Sequence, residues 1–179
     1  MIPGIRRRLF VVPLAENDHG KTTLVRSLVS QGTRNSYMKL PKGERTLYTH
    51  WAQAVDAYVF PRSFQEAEKK DHPKAKDALD ANDRRWRQRD LIIMPSHLFP
   101  NDCAGMIAEA HAAGFDALAV SIFLDRKEIE KERYVKCMSL SWDARWCVDN
   151  KKNSNSNDQV EALGRDLWVA ISATVFLRS

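Results

Sequence analysis

The clearest indication of the fold is the segment Ala15–Thr23, which reads Ala-Glu-Asn-Asp-His-Gly-Lys-Thr-Thr. The apolar segment Leu9–Leu14 precedes it, and the segment Leu24–Gln31 follows it. A strand, a loop ending in Gly-Lys-Thr and a helix, in that order, are the arrangement of a phosphate-binding loop. Such a loop binds phosphate oxygens through its backbone N–H groups and through the free N–H groups at the start of the helix. The order of segments therefore predicts an anion site here.

The residue types in this loop suit a nucleotide with a bound magnesium ion. The ammonium of Lys21 can reach the β- and γ-phosphates, and the hydroxyl of Thr22 can bind Mg²⁺. We therefore expect ATP or GTP, together with Mg²⁺, as the cofactors. The residues expected to bind the nucleotide in this segment are Ala15, Asp18, His19, Gly20, Lys21, Thr22 and Thr23.

Two features of the loop depart from the pattern G-x-x-x-x-G-K-[ST]. Ala15 takes the place of the first glycine, and alanine tolerates fewer backbone conformations than glycine. Glu16 and Asp18 also place carboxylates near a phosphate site. However, the segment 18–25 (Asp-His-Gly-Lys-Thr-Thr-Leu-Val) resembles the phosphate loop of translation-factor GTPases, in which Asp-His precedes Gly-Lys-Thr. That resemblance implies that an acid at this point is compatible with nucleotide binding.

Length and charge limit the domain organisation and the partners. A chain of 179 residues predicts one domain over residues 1–179, with room for a small helical insertion at about 63–89. The net charge of +5 suits an anionic ligand, and no recognised nucleic-acid motif accompanies it, so nucleic acid is not the favoured partner. The basic run Arg84–Arg89 either grips phosphates or forms a solvated helix face with Trp86 packed inward.

Cysteine content and hydropathy favour a cytoplasmic protein. Cys103, Cys137 and Cys147 lack metal-ligand spacing and are expected to be reduced, buried thiols. The apolar segments near the two ends of the chain are too short for a signal sequence or a bilayer span. We therefore expect no membrane segment.

The alternation of apolar runs with helical segments predicts an α/β fold. Short apolar runs separated by helices are typical of βαβ units, so we expect a three-layer α/β/α arrangement with a five-stranded, mainly parallel sheet. The first helix is expected to end at Gly32 and the charged fourth helix to run over about 126–135. The expected strands are Leu9–Leu14, Ala57–Phe60, Leu91–Met94, Leu118–Leu124 and Arg145–Val148.

Polar residues follow each expected strand, and they define the candidate site. In parallel sheets the ligand lies beyond the carboxyl ends of the strands, where the phosphate loop is also expected. Asp56 and Asp90 precede their strands and should lie at the opposite edge. Strand two is followed by Arg62 and Ser63, strand three by Ser96 and His97, strand four by Asp125, Arg126 and Lys127, and strand five by Asp149 and Asn150.

This organisation resembles nucleoside- and nucleotide-kinase-like P-loop proteins, including zeta-toxin-like kinases. In that family a basic lid follows strand four, which Arg126, Lys127 and Arg133 match, and a segment near the base follows strand five, which Asn150 matches. The family often has a carboxylate after strand three, where this chain has His97. His97 can act as general base or can hold a loop by hydrogen bonds. Asp125 is either its acidic partner or a helix N-cap.

The leading hypothesis is a P-loop phosphotransferase that moves the γ-phosphoryl group of ATP or GTP to a small hydroxyl or phosphate acceptor. Lys21 would neutralise the transferring phosphate, and Arg126 or Arg133 would stabilise the transition state. One alternative is a nucleotide-binding protein without turnover. Another is a GTPase or ATPase switch. Two GTPase patterns match only in part: Asp102–Gly105 fits Asp-x-x-Gly but lies too far from strand three. The run Asn-Lys-Lys-Asn over 150–153 resembles the guanine-reading Asn-Lys-x-Asp, but Asn153 lacks the carboxylate that pairs with guanine.

Overall fold

The computed structural model of the protein describes residues 1–16, 19–33, 44–60, 79, 83–150 and 156–177. The strands are β1 (Arg8–Leu14), β2 (Glu44–Tyr48), β3 (Ala54–Val59), β4 (Leu91–Ile93), β5 (Phe115–Phe123) and β6 (Ala144–Asp149). The helices are α1 (Lys21–Gly32), α2 (Asp83–Trp86), α3 (Pro100–Ala112), α4 (Glu132–Met138) and α5 (Ser156–Phe176), and Arg126–Glu130 forms a 3-10 helix.

Within the described residues, six strands form one mixed sheet in the order β2-β3-β4-β1-β5-β6. Every pairing is parallel except that of β2 with β3. The expected α/β class and mainly parallel sheet are confirmed, but the expected number of five strands is wrong. The additional strand, β2, reads Glu-Arg-Thr-Leu-Tyr and lies at the edge, so it does not carry the continuous apolar run of a buried strand.

The sheet separates two hydrophobic clusters. Successive side chains of a strand point to opposite faces, so Leu9 and Val11 belong to one cluster whereas Phe10 and Val12 belong to the other. On the first face the sheet packs against α1 and α5, which contribute Leu24, Leu28, Leu167, Trp168 and Ile171. On the second face it packs against α3 and α4, which contribute Met106, Ile107, Ala110, Tyr134 and Cys137.

The order of the strands creates a switch point between β1 and β4. These two strands are parallel neighbours, but α1, which follows β1, and α3, which follows β4, pack on opposite faces of the sheet. The chain therefore diverges beyond the carboxyl ends of this pair. In open α/β sheets, ligands bind in the crevice at such a point.

Of two expected helix boundaries, the first is confirmed and the second is wrong. The first helix ends at Gly32, as expected, and Thr33 follows it in extended conformation. A Cβ atom at Gly32 would lie 2.8 Å from Trp168 Cζ2, so the glycine allows α1 and α5 to approach closely. The charged helix expected over 126–135 divides at Lys131, where the backbone is extended, into the 3-10 helix and α4.

The region of the expected insertion is described only in part. Residues 61–78 and 80–82 lie outside the described residues, as do Arg62 and Ser63. Trp86 in α2 is fully buried, and its Nε1 donates to Leu79 O at 2.9 Å. The interpretation of Trp86 as a core residue is therefore confirmed.

Asp90 precedes β4 and lies at the edge opposite the phosphate loop, as expected, where its N–H donates to Asp56 O at 2.9 Å. Asp56 does not precede its strand as expected, because β3 begins at Ala54 and Asp56 lies within it, beside the amino-terminal end of β4. Cys103 and Cys137 are buried, but Cys147 on the outermost strand β6 is exposed, which corrects its expected burial. Among the described helices, none is both long and apolar enough to cross a bilayer.

Candidate functional site

The loop after β1 ends in a backbone conformation that requires glycine. Gly20 is the N-cap of α1 and has φ 105° and ψ 13°, in the left-handed region that side chains disfavour. Ala15, at the other end of the loop, is fully buried and is not among the residues with positive φ. The departure from glycine at position 15 therefore introduces no backbone strain.

The start of α1 carries the positive end of the helix dipole. Gly20 has no side chain to cap the helix, and the first turn contains no acidic residue. The N–H groups of a first turn have no partner within the helix, and the helix dipole places partial positive charge there. Thr22 and Thr23 lie in this turn with half-buried side chains. Asp18 lies outside the described residues.

Lys21 folds back along the loop. Its Nζ donates to Ala15 O at 2.8 Å and lies 2.9 Å from His97 Nδ1, and the residue is only 6% exposed. An ammonium group has donors but no acceptor, so Nδ1 of His97 accepts the hydrogen bond and the ring carries its proton on Nε2. The side chain expected to bind phosphate and the side chain expected to act as base therefore contact each other.

The position of His97 follows from the pairing of the segment after β4. Ser96 N donates to Pro13 O at 2.9 Å and pairs in parallel with Leu14, so this segment continues alongside β1. Phe99 N then donates to His97 O at 2.9 Å. These bonds fix the ring of His97 beside the loop, in agreement with the interpretation that it holds a loop. Its role as a base stays a prediction.

The loop is also held from the side of β5 and β6. His19 Nε2 lies 3.0 Å from Glu128 Oε2, on the 3-10 helix, and His19 O accepts from Asn150 Nδ2 at 3.0 Å. Glu128 Oε2 accepts in addition from Leu124 N at 3.4 Å. Asn150 is 4% exposed, and within the described part of the chain its Oδ1 has no hydrogen-bond partner. The segment after β6 thus reaches the loop, as the strand-end rule requires.

The basic residues after β5 have different environments. Arg133 in α4 donates from Nη1 to Glu16 Oε1 at 3.3 Å, and its Cζ lies 5.6 Å from the centre of the Phe99 ring. Arg126 is exposed on the 3-10 helix. Asp125 is the N-cap of that helix, and its Oδ1 accepts from Lys127 N at 3.0 Å. The helix-cap interpretation of Asp125 is therefore confirmed, and its catalytic role stays a prediction.

Tyr134 anchors α4 beneath this region. Its hydroxyl donates to Ile122 O at 2.5 Å. Burial raises the pKa of the phenol above its ordinary value, and the nearby carboxylates Glu128 and Glu16 raise it further. Tyr134 is consequently a neutral hydrogen-bond donor, and it ties α4, with Arg133, to the end of β5.

Three partners at the site were not predicted from the sequence: Glu128, Phe99 and Glu16 as the partner of Arg133. The segment after β5 is distinguished in the sequence by its basic residues, and nothing in the local pattern indicates that an acid within it contacts the loop. No group of three or more His, Cys, Asp or Glu side chains suited to a metal occurs in the ranges that the structure describes. Comparisons with protein-family models, with curated proteins and with solved structures find no match for this chain.

Proposed function

We propose that this chain is a P-loop nucleotide-binding protein that transfers the γ-phosphoryl group of ATP or GTP to a small hydroxyl or phosphate acceptor. The observation that carries the proposal is the loop at the β1–β4 switch point. There Gly20 adopts a left-handed conformation that side chains disfavour, and Lys21 Nζ turns back to Ala15 O. The proposal includes the three-layer α/β/α arrangement of P-loop proteins.

The residues around the loop suit a polyphosphate. The first turn of α1 offers backbone N–H groups and contains no acidic residue, and Lys21 supplies a positive charge that is already desolvated. Thr22, in the same turn, would offer its hydroxyl to Mg²⁺, which binds through one or two protein groups plus phosphate oxygens. When bound, Mg²⁺ would neutralise charge that develops on the phosphates.

The contact between Lys21 and His97 couples binding to acceptor chemistry. While Nζ donates to Nδ1, His97 has its proton on Nε2 and has no second acceptor nitrogen. If Lys21 turns toward a phosphate, Nδ1 loses that donor and becomes available to accept a proton from the acceptor. Arg133 and the exposed Arg126 would then supply positive charge for the transition state, as the sequence predicts.

A nucleotide-binding protein without turnover is the second candidate. One observation favours it: the segment after β4 is Met94–His97, which contains no carboxylate to orient an acceptor or a metal ion. A GTPase switch is less well supported, because Asp102 lies in the first turn of α3 rather than directly after β4. Transfer assays therefore decide between the first two candidates.

The test combines binding with turnover in one preparation. Titration calorimetry with ATP and with GTP, each with Mg²⁺, measures binding. Release of inorganic phosphate from the same samples measures hydrolysis to water, which requires no knowledge of the acceptor. Binding with hydrolysis supports the phosphotransferase, binding without hydrolysis supports the second candidate, and no binding contradicts both.

A further inference from the structure

Glu16 has no role in the mechanism above, although it lies in the phosphate loop directly after Ala15. Its carboxylate accepts from Arg133 Nη1 at 3.3 Å through Oε1 and at 3.5 Å through Oε2. The two residues are 117 positions apart in the chain. The pair therefore joins the phosphate loop to α4, the helix that carries the candidate transition-state arginine.

The pair does little for stability. Both side chains are substantially exposed, 58% for Arg133 and 37% for Glu16. Exposed ion pairs are screened by water and contribute between nothing and about 1 kcal/mol to folding. The contribution to folding thus gives no reason for a carboxylate in a loop whose expected ligand is an anion.

The geometry suggests an exchange of partners. Arg133 also lies over the ring of Phe99, with 5.6 Å between Cζ and the ring centre, so its guanidinium remains between the loop and the segment after β4 when Glu16 is released. Phosphate oxygens bind guanidinium groups at least as well as a carboxylate does. A polyphosphate in the loop would repel Glu16 and attract Arg133 at the same time.

We propose that Glu16 is an internal competitor of the nucleotide: in the empty site it holds Arg133, and a bound polyphosphate takes Arg133 from it. This inference rests on the proposed function. It makes Glu16 a positioning residue that acts through Arg133 and lowers nucleotide affinity. Removal of its charge has an unusual consequence for a loop residue, because binding becomes tighter.

The test compares Glu16→Gln with the wild-type protein by calorimetric titration of ATP and GTP with Mg²⁺. The variant should bind about 3- to 10-fold more tightly, a range set by the loss of one exposed pair and of one repulsion. Glu130→Gln is the matched control, since Glu130 is exposed on the neighbouring 3-10 helix and its loss changes the net charge equally. The control should change affinity less than twofold.

A double-mutant cycle tests the part played by Arg133. The gain in nucleotide affinity from Glu16→Gln should be larger when Arg133 is present than in an Arg133→Ala background. Only in the presence of Arg133 does the loss of the Glu16 charge release a guanidinium for the phosphate. Equal gains in the two backgrounds would overturn the proposed exchange of partners. The same holds if the wild type binds nucleotide and Glu16→Gln binds it no more tightly. If neither the wild type nor Glu16→Gln binds ATP or GTP, the proposed function fails together with this inference.

Discussion

Lys21 Nζ and His97 Nδ1 lie 2.9 Å apart across the carboxyl ends of two neighbouring parallel strands, β1 and β4. The contact joins the candidate phosphate-binding cation to the candidate base, and it stands at the point where the following helices diverge to opposite faces. A ligand that takes the ammonium therefore also changes the hydrogen bonding of the imidazole. In the proposed function, this one hydrogen bond couples nucleotide binding to acid–base chemistry.

We expect His97→Ala to reduce phosphoryl transfer or hydrolysis by about two to four orders of magnitude, the contribution of a general base. Nucleotide affinity should not fall, because Lys21 keeps its bond to Ala15 O and loses a partner that competes with phosphate for its ammonium. The measurements are phosphate release and calorimetry on the same samples. His50→Ala is the control, since His50 lies in the turn between β2 and β3, at the opposite edge. Full activity of the His97 variant would remove it from the mechanism.

We expect Gly20→Ala to destabilise the protein by about 1–2 kcal/mol and to weaken nucleotide binding, because φ 105° is strained for any residue with a Cβ. Gly105→Ala is the matched control. A Cβ there meets nothing within 4 Å, and the residue lies inside α3, so the change should stabilise by about 0.5–1 kcal/mol. Denaturant titration measures both. Equal effects of the two substitutions would mean that Gly20 is not strained.

We expect Asn150→Asp to weaken nucleotide binding about tenfold. The amide donates to His19 O, next to Gly20, and a carboxylate in its place cannot donate and would repel that carbonyl. Asn150→Gln, which keeps an amide on a longer side chain, should retain more affinity than Asn150→Asp. Calorimetry at fixed ionic strength checks the order. If both variants bind like the wild type, the bond does not position the loop.

Asp116 at the start of β5 gives a prediction for acid stability. Burial pushes the pKa of its carboxyl upward, but hydrogen bonds from the N–H groups of Arg6 and Arg7 and from the Arg7 guanidinium outweigh it, so the pKa lies below its ordinary value of 3.8. A carboxyl group whose pKa is lower in the folded than in the unfolded protein stabilises the fold. The stabilisation is fully present when the pH lies above the ordinary pKa of 3.8, and it is lost as the pH falls through the lower pKa of the folded protein.

The corresponding measurement is the difference in unfolding free energy between the wild type and Asp116→Asn as a function of pH. The wild type should be the more stable at pH 7, and the difference should shrink as the pH falls below about 4. A difference that is constant down to pH 2 would show that the carboxylate charge is not responsible. The bonds to Asp116 also give Arg7 a structural role at the edge opposite the loop.

Sequence reasoning located the buried strands because each is a continuous apolar run between turn signals. It did not identify β2, because Glu44–Tyr48 is largely polar and, among the described strands, pairs with β3 alone. It placed His97 and Asn150 at the correct edge, because they follow parallel strands. It did not reveal the contact of His19 with Glu128, because residues 109 positions apart approach through tertiary packing that no local pattern encodes.

The phosphate loop shows which features a sequence pattern predicts and which depend on the backbone conformation. The Gly-Lys-Thr pattern identified Gly20 and Lys21, and the structure gives both the expected placement at the start of α1. The narrower conformational range of alanine has no consequence at Ala15, because glycine is needed only where φ is positive, and φ at Ala15 is not positive. Sequence alone does not supply that angle.

The most direct test of the central claim is calorimetric titration of ATP and of GTP, each with Mg²⁺, into the wild type, Lys21→Ala and Lys136→Ala. Lys136 is 60% exposed on α4 and pairs with Glu132, so its variant controls for the loss of one positive charge. We expect saturable binding by the wild type and by Lys136→Ala, and about tenfold or greater weakening in Lys21→Ala without loss of folding. Equal affinity of Lys21→Ala and the wild type, or no binding by the wild type, would rule out the proposed phosphate-binding role of Lys21.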